Sequence, residues 1–114
     1  MGMAPELARQ ALAFNIQTGV TSAGTALADA YAIVAEHTTI ATAAASSGVR
    51  LPDWPIGTEI YVKNSGANTV NVYPHSATGT IEAGGAGAAQ TIATTKKGRF
   101  IRLTATNWDY TLEN

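Results

Sequence analysis

The chain contains no cysteine and few charged residues. Without cysteine it forms no disulfide, offers no thiolate to a metal and has no cysteine nucleophile. Charged residues make up 13% of its 114 residues, about half of the usual quarter. Seven Lys and Arg stand against eight Asp and Glu, so the chain lacks the positive surplus with which general nucleic-acid binders neutralise phosphates. We therefore expect no thiol chemistry and no nucleic-acid partner.

Long apolar runs are also missing. The longest, residues 30–35, is far shorter than the ~20 residues of a membrane span. The first residues, MGMAPE, lack the basic and apolar regions of a secretory signal. We expect no membrane partner, and a protein that acts outside the cell would leave it by lysis or within an assembled particle.

Small, weakly polar residues take the place of charges. The chain has 22 Ala, 16 Thr and 11 Gly, a composition rare in ordinary cytosolic enzymes. Packed assemblies use such residues because they let chains approach closely with little charge to desolvate. The length fits one domain.

Short segments with a two-residue hydrophobic period dominate the sequence. Residues 58–64 and 69–73 alternate around the turn at 65–68 and predict a β-hairpin. Residues 99–104 and 108–112 predict a second one. With their neighbours they give seven to nine strands separated by turn residues. This pattern predicts an all-β fold, a small β-sandwich or barrel-like knob with a short N-terminal arm or helix.

The N-terminal segment differs from the rest. Pro5 and Glu6 suit the first turn of a helix, and the apolar spacing that follows predicts a short amphipathic helix over residues 6–14. An extended arm that orders only on a partner is the alternative. We divide the chain into an arm at 1–20 and a β-domain at 21–114.

No residue pattern indicates catalysis. His37 and His75 lack metal-binding spacing, and His75 is interpreted as a solvated turn histidine. A glycosidase would need two converging carboxylates, for example Asp53 with Glu82 or Asp109, but few polar groups are available to tune their pKa values. We predict no catalytic residue, no cofactor and no metal; a small hydrolase is the least favoured class.

Four of the seven basic residues fall between positions 96 and 102: Lys96, Lys97, Arg99 and Arg102. They form either a basic patch for an acidic partner surface or a gatekeeper turn that protects the hairpin from aggregation. Arg102 shares a strand face with Phe100.

The aromatic residues allow two interpretations. Trp108 and Tyr110 share a strand face with Leu112 and are expected in the core. Trp54 and Tyr61 are candidates for an oligomer seam.

One block resembles a known family. GVRLP at residues 48–52 is followed by GTEIYVKNSGANTVNVYP at 57–74, then by GTI at 79–81 and a strand with Trp108. From Gly48 to Tyr110 the sequence resembles a small β-domain of tailed-bacteriophage virion proteins, of the head-decoration (cement) and tail-associated kinds. The resemblance implies a non-enzymatic structural module, commonly trimeric, seated on a larger particle. The short chain, without a long shaft, favours a free-standing decoration protein.

The sequence thus predicts a capsid decoration protein on the virion surface, a homotrimer whose partner is the major capsid protein. We expect apolar residues of the arm to contact the capsid: Leu7, Leu12, Phe14 and Ile16. The candidate oligomer seam or partner surface comprises Trp54, Tyr61, Lys96, Lys97, Arg99 and Arg102.

The alternative is a phage tail, receptor-binding or glycan-binding β-module. It requires an exposed aromatic ring with polar neighbours, such as Trp108 beside Asn107 and Asp109.

Overall fold

A computed structural model describes residues 15–113, which are almost entirely β apart from one 3₁₀ turn at Leu27–Asp29. The all-β prediction is confirmed, with ten strands in this part of the chain. They are β1 Ile16–Thr21, β2 Tyr31–Ala32, β3 His37–Thr42, β4 Gly48–Arg50, β5 Glu59–Asn64, β6 Val70–Tyr73, β7 Thr80–Ile81, β8 Gln90–Ile92, β9 Lys97–Arg102 and β10 Asn107–Glu113.

The strands form two sheets between which the chain alternates. One sheet has six strands in the order β1-β3-β5-β9-β10-β7, and the other has four in the order β2-β4-β6-β8. β1, β3 and β5 are parallel, as are β2, β4 and β6. The first six strands therefore wind like a solenoid, and each pair of strands makes one winding. β9 then adds antiparallel to β5 and ends the winding.

Both sheets contribute to a single core. In β5 and β9 every second residue is buried, as the two-residue period dictates. Ile60, Val62 and Phe100 come from the six-stranded sheet, and Val49 and Val72 from the four-stranded one. The alternate residues of β5 and β9 form the outer face of the larger sheet.

The predicted hairpin of residues 58–64 and 69–73 is wrong, because β5 and β6 belong to different sheets. Buried Asn64 turns the chain: its side-chain nitrogen donates to the carbonyls of Asn68 (2.8 Å) and Ile92 (2.9 Å), and its oxygen accepts from the Gly66 N–H (2.9 Å). The Ser65 N–H donates to the Ile40 carbonyl. These bonds carry the chain across the core, so β5 and β6 face each other through their apolar sides.

The second predicted hairpin is confirmed, since β9 and β10 are antiparallel neighbours. β1 crosses the expected boundary between residues 20 and 21, because Ile16–Thr21 pairs with β3 in the six-stranded sheet. The helix predicted over residues 6–14 lies outside the described residues.

Candidate partner surface

The outer face of the six-stranded sheet collects three of the residues expected at a partner surface. Tyr61 on β5 lies opposite Arg99 on β9, and Lys97 is two residues before Arg99 on the same side of the strand. His37 on β3 is the next residue across from Tyr61. We call His37, Glu59, Tyr61, Lys97 and Arg99 the tyrosine face.

Tyr61 lies at the centre of this face. Its hydroxyl donates to Oε1 of Glu59 (3.2 Å), and the same oxygen accepts from Nε of Arg99 (3.0 Å). The His37 ring stacks on the Tyr61 ring with centroids 6.0 Å apart, and Nζ of Lys97 lies 5.3 Å from the Tyr61 centroid. These contacts hold one aromatic ring between two cations and a carboxylate.

Each of the two cations of the tyrosine face lies next to an acid. Hydrogen bonding from Arg99 lowers the pKa of Glu59, and the same bond raises the pKa of Arg99. Lys97 lies 3.5 Å from Glu113 on β10. Such half-exposed pairs contribute little stability individually. Lys63 on β5 is directly opposite Lys97 on the same outer side and has no ion-pair partner among residues 15–113, so the surface is polar and aromatic with a small positive excess.

Arg102 does not belong to this surface. It lies on the inner side of β9 with Phe100 and is only 8% exposed. Its Nη1 donates to Asp53 (2.6 Å) and to the Trp54 carbonyl (2.6 Å), and Nη2 donates to the Ala105 carbonyl (2.5 Å). The four basic residues therefore do not form one patch, because strand alternation turns Arg102 inward.

His75 and Trp108 complete the cluster around Arg102. The indole N–H of Trp108 donates to Nδ1 of His75 (3.0 Å), and Nε2 of His75 is 3.1 Å from Nη2 of Arg102. Because an indole nitrogen only donates, Nδ1 is the acceptor and the neutral ring carries its proton on Nε2, towards the Ala105 carbonyl. Burial, followed by the Arg102 charge, lowers the pKa of His75.

These contacts correct the interpretation of His75 as a solvated turn histidine. Sequence pattern gave no signal for the pairing, since His75 and Trp108 are 33 residues apart. Trp108 is fully buried, as expected of a core residue, so its ring offers no exposed platform for a sugar. Tyr110 stacks on Phe100 with centroids 4.7 Å apart and is half-buried, whereas Leu112 is 49% exposed.

The other expected contact residues are dispersed. Trp54 packs half-buried against the core in the connection between β4 and β5, and Lys96 lies in the turn before β9. Ile16 begins β1 and is 67% exposed. Leu7, Leu12 and Phe14 lie outside the described residues. The structure thus groups Tyr61, Lys97 and Arg99 and separates the rest.

Residues 15–113 contain no detected pocket and no cluster of metal-ligating side chains. Within the same residues, no helix has the length and hydropathy needed to cross a membrane. Comparison of the chain with protein-family models, curated proteins and solved structures found no match.

Proposed function

We propose that this chain is a small β-sandwich knob that decorates the capsid surface of a tailed bacteriophage, with the major capsid protein as its partner and no catalytic role. Support comes from the resemblance over residues 48–110, from the low charge of the chain and from the polar, aromatic surface of the larger sheet. The protein would strengthen the shell by binding across neighbouring capsid subunits.

The observation that carries the proposal is the tyrosine face. Tyrosine and arginine are enriched at protein–protein contacts because they supply large contact areas and several hydrogen-bond donors. Here Tyr61 and Arg99 share the carboxylate of Glu59, which fixes both side chains before a partner arrives. Acids lie beside Lys97 and Arg99, and Lys63 lies opposite Lys97, so charges of both signs surround Tyr61, as suits a partner surface that also carries both signs.

Binding would stabilise the shell through mass action. A protein that binds the assembled lattice, and not its separated subunits, shifts the equilibrium towards the lattice. In the proposed homotrimer, three copies of the arm and of the tyrosine face would meet three equivalent sites, so weak single contacts would suffice. The expected arm contacts are Leu7, Leu12, Phe14 and Ile16.

The test is co-sedimentation of the full chain with mature heads assembled from the major capsid protein of the same phage. We expect the wild-type protein to sediment with the heads in saturable amounts. A variant with Leu7, Leu12 and Phe14 all replaced by serine should stay in the supernatant, and Arg99→Ser should bind more weakly. Thr106→Ser, in the exposed turn before β10, is the matched control and should bind like wild type.

Absence of saturable binding by the folded wild-type protein would contradict the capsid role. Binding to purified tails but not to heads would instead support the tail-associated alternative.

A further inference from the structure

Among residues 15–113, the first winding of the chain leaves one edge of each sheet without a neighbouring strand. β1 is the edge strand of the six-stranded sheet, and β2 is the edge strand of the four-stranded sheet at the same end of the stack. An edge strand presents a row of backbone N–H and C=O groups that can pair with another strand. Both edges therefore offer main-chain hydrogen bonds in the same direction.

The register shows which backbone groups of β1 are available. Ile16 lies opposite His37, and the His37 N–H donates to the Asn15 carbonyl. In a parallel ladder this places the N–H and C=O of Ile16 on the side away from β3. The register shifts between Gln17 and Val20, so the regular ladder ends before Thr18. Five of the six β1 residues are exposed, and the strand contains neither charge nor proline.

Charge is sparse in the segment that forms this end of the molecule, although Glu36 reaches the start of β1 and accepts from the Asn15 N–H (3.3 Å). Residues 15–35 contain one Asp, Glu, Lys or Arg, whereas residues 36–113 contain twelve. That one residue, Asp29, uses Oδ1 to accept from the N–H groups of Thr25 (3.1 Å) and Ala26 (2.9 Å). Proteins usually protect a free edge with lysine, proline or a very short strand. At the opposite end both edge strands are very short, since β7 has two residues and β8 has three. At this end β2 is equally short, with two residues, so the six-residue β1 is the long edge without such protection.

We propose that a second copy of this chain covers the open edge. Rotation by 180° about an axis perpendicular to both sheets reverses the direction of every strand. It also reverses the order in which the strands follow one another across each sheet. It therefore places β1 antiparallel to β1 of the second copy and β2 antiparallel to its β2, so both sheets continue across the contact. One rotation satisfies both edges. Because the two β1 strands run antiparallel, the Glu36 carboxylate of one copy, near Asn15, lies at the opposite end of the contact from Glu36 of the other copy, and the two do not repel each other.

This pairing does not depend on the capsid role. It can occur alone or in addition to the contacts that would form the proposed trimer. If edge pairing is the sole contact, the protein is a dimer. Combined with the proposed trimer, it gives an assembly of six copies.

Light scattering on a sizing column, with the full chain over a wide concentration range, tests the pairing. The expected mass is an even multiple of the 11.8 kDa chain. Thr18 is an exposed residue near the middle of β1, so Thr18→Lys and Thr18→Glu each add a like charge to both paired edges, and each variant should halve the number of copies. Mixing the two variants should restore the wild-type mass, because opposite charges then meet.

Thr91→Lys is the matched control, because it adds the same charge to an exposed position of β8, at the opposite end of the stack and across from uncharged Asn71. It should retain the wild-type mass. Far-ultraviolet circular dichroism and the unfolding midpoint of each variant confirm that it is folded. A monomeric or trimeric wild type, or undiminished pairing in folded Thr18→Lys and Thr18→Glu, would overturn the proposal. Loss of pairing that mixing fails to restore would also count against it.

Discussion

The indole N–H of Trp108 donates a hydrogen bond to Nδ1 of His75 over 3.0 Å. The other nitrogen of the same imidazole lies 3.1 Å from the guanidinium of Arg102. The indole bond requires a lone pair on Nδ1, and the charge of Arg102 opposes a second positive charge on the ring. These contacts of the half-buried ring favour neutral His75 and make the fold sensitive to acid.

We expect the stability of the protein to fall as the pH drops below about 6.5, the ordinary pKa of histidine. The pKa of His75 is lowered in the folded state, so the unfolded chain binds its proton first. The stabilisation due to His75 is fully present above the pKa that His75 has in the unfolded chain, and it is lost as the pH falls towards the lower pKa of the folded state. The unfolding midpoint measured from pH 8 to pH 5.5 should therefore decrease.

His75→Asn is the control for this prediction, because its side-chain oxygen still accepts from the indole but does not titrate. Its midpoint should vary less over the same pH interval. Glu59, whose pKa is also lowered, loses its contribution at lower pH and does not interfere. Parallel pH profiles for wild type and His75→Asn would show that His75 has no such role.

The bonds of Arg102 predict a large difference between two Arg→Lys substitutions. Arg102→Lys should lower the free energy of unfolding by about 2–3 kcal/mol, because lysine cannot serve the buried Trp54 and Ala105 carbonyls together with Asp53. Arg99→Lys, in a half-exposed ion pair, should cost under about 1 kcal/mol. Urea denaturation of both variants measures the difference, and equal losses would contradict the assigned role of Arg102.

A buried hydroxyl in β3 predicts a stabilising substitution. Thr38 is fully buried, and its Oγ1 has no hydrogen-bond partner among residues 15–113. Thr38→Val replaces the hydroxyl with a methyl group of similar size and should raise the free energy of unfolding by about 1 kcal/mol. Thr39→Val, on the outer face of the same strand, should change it little. A destabilised Thr38→Val would show that the hydroxyl is hydrogen-bonded after all.

The crossing from β5 to β6 predicts that Gly66 tolerates no side chain. A Cβ at this position would lie 2.6 Å from the backbone nitrogen of Ala43, so Gly66→Ala should cost about 1–3 kcal/mol through overpacking. A Cβ at Gly85 would meet no other atom within 4 Å, and Gly85→Ala should be neutral or slightly stabilising. Thermal unfolding of the two variants separates them. A neutral Gly66→Ala would mean that the crossing is looser than described.

The sequence contained enough information for most of the strands, though not for β1, which falls largely in the predicted arm, and it did not indicate which strands pair. Alternation identified β5, β9 and β10, and it already placed Arg102 on the side of Phe100, which is the buried side. Two successive strands show the same alternation of apolar and polar residues whether they pair within one sheet or face each other across the core. The winding between two sheets was therefore missed, because it depends on the distant bonds of Asn64 to Ile92 and of Ser65 to Ile40.

Sequence pattern identified some residues of the candidate site but not how they come together, because it does not specify strand pairing. Tyr61 and Arg99 meet because β5 and β9 are neighbours, and no local pattern specifies that pairing. The sequence did single out both residues by type, as an aromatic residue and a cluster of basic ones. The ion pair of Arg99 with Glu59 depends on the register of β9 against β5, whereas the Tyr61 hydrogen bond to Glu59 lies within β5.

The most direct test of the capsid role is the temperature at which DNA-filled heads, stripped of decoration protein, release their DNA with and without this protein at saturation. A protein that bridges capsid subunits raises this temperature, and the rise should follow the amount bound. We expect such a rise for wild type and a smaller one for Arg99→Ser at equal concentration. An unchanged release temperature on heads that have bound the protein would contradict the proposed function.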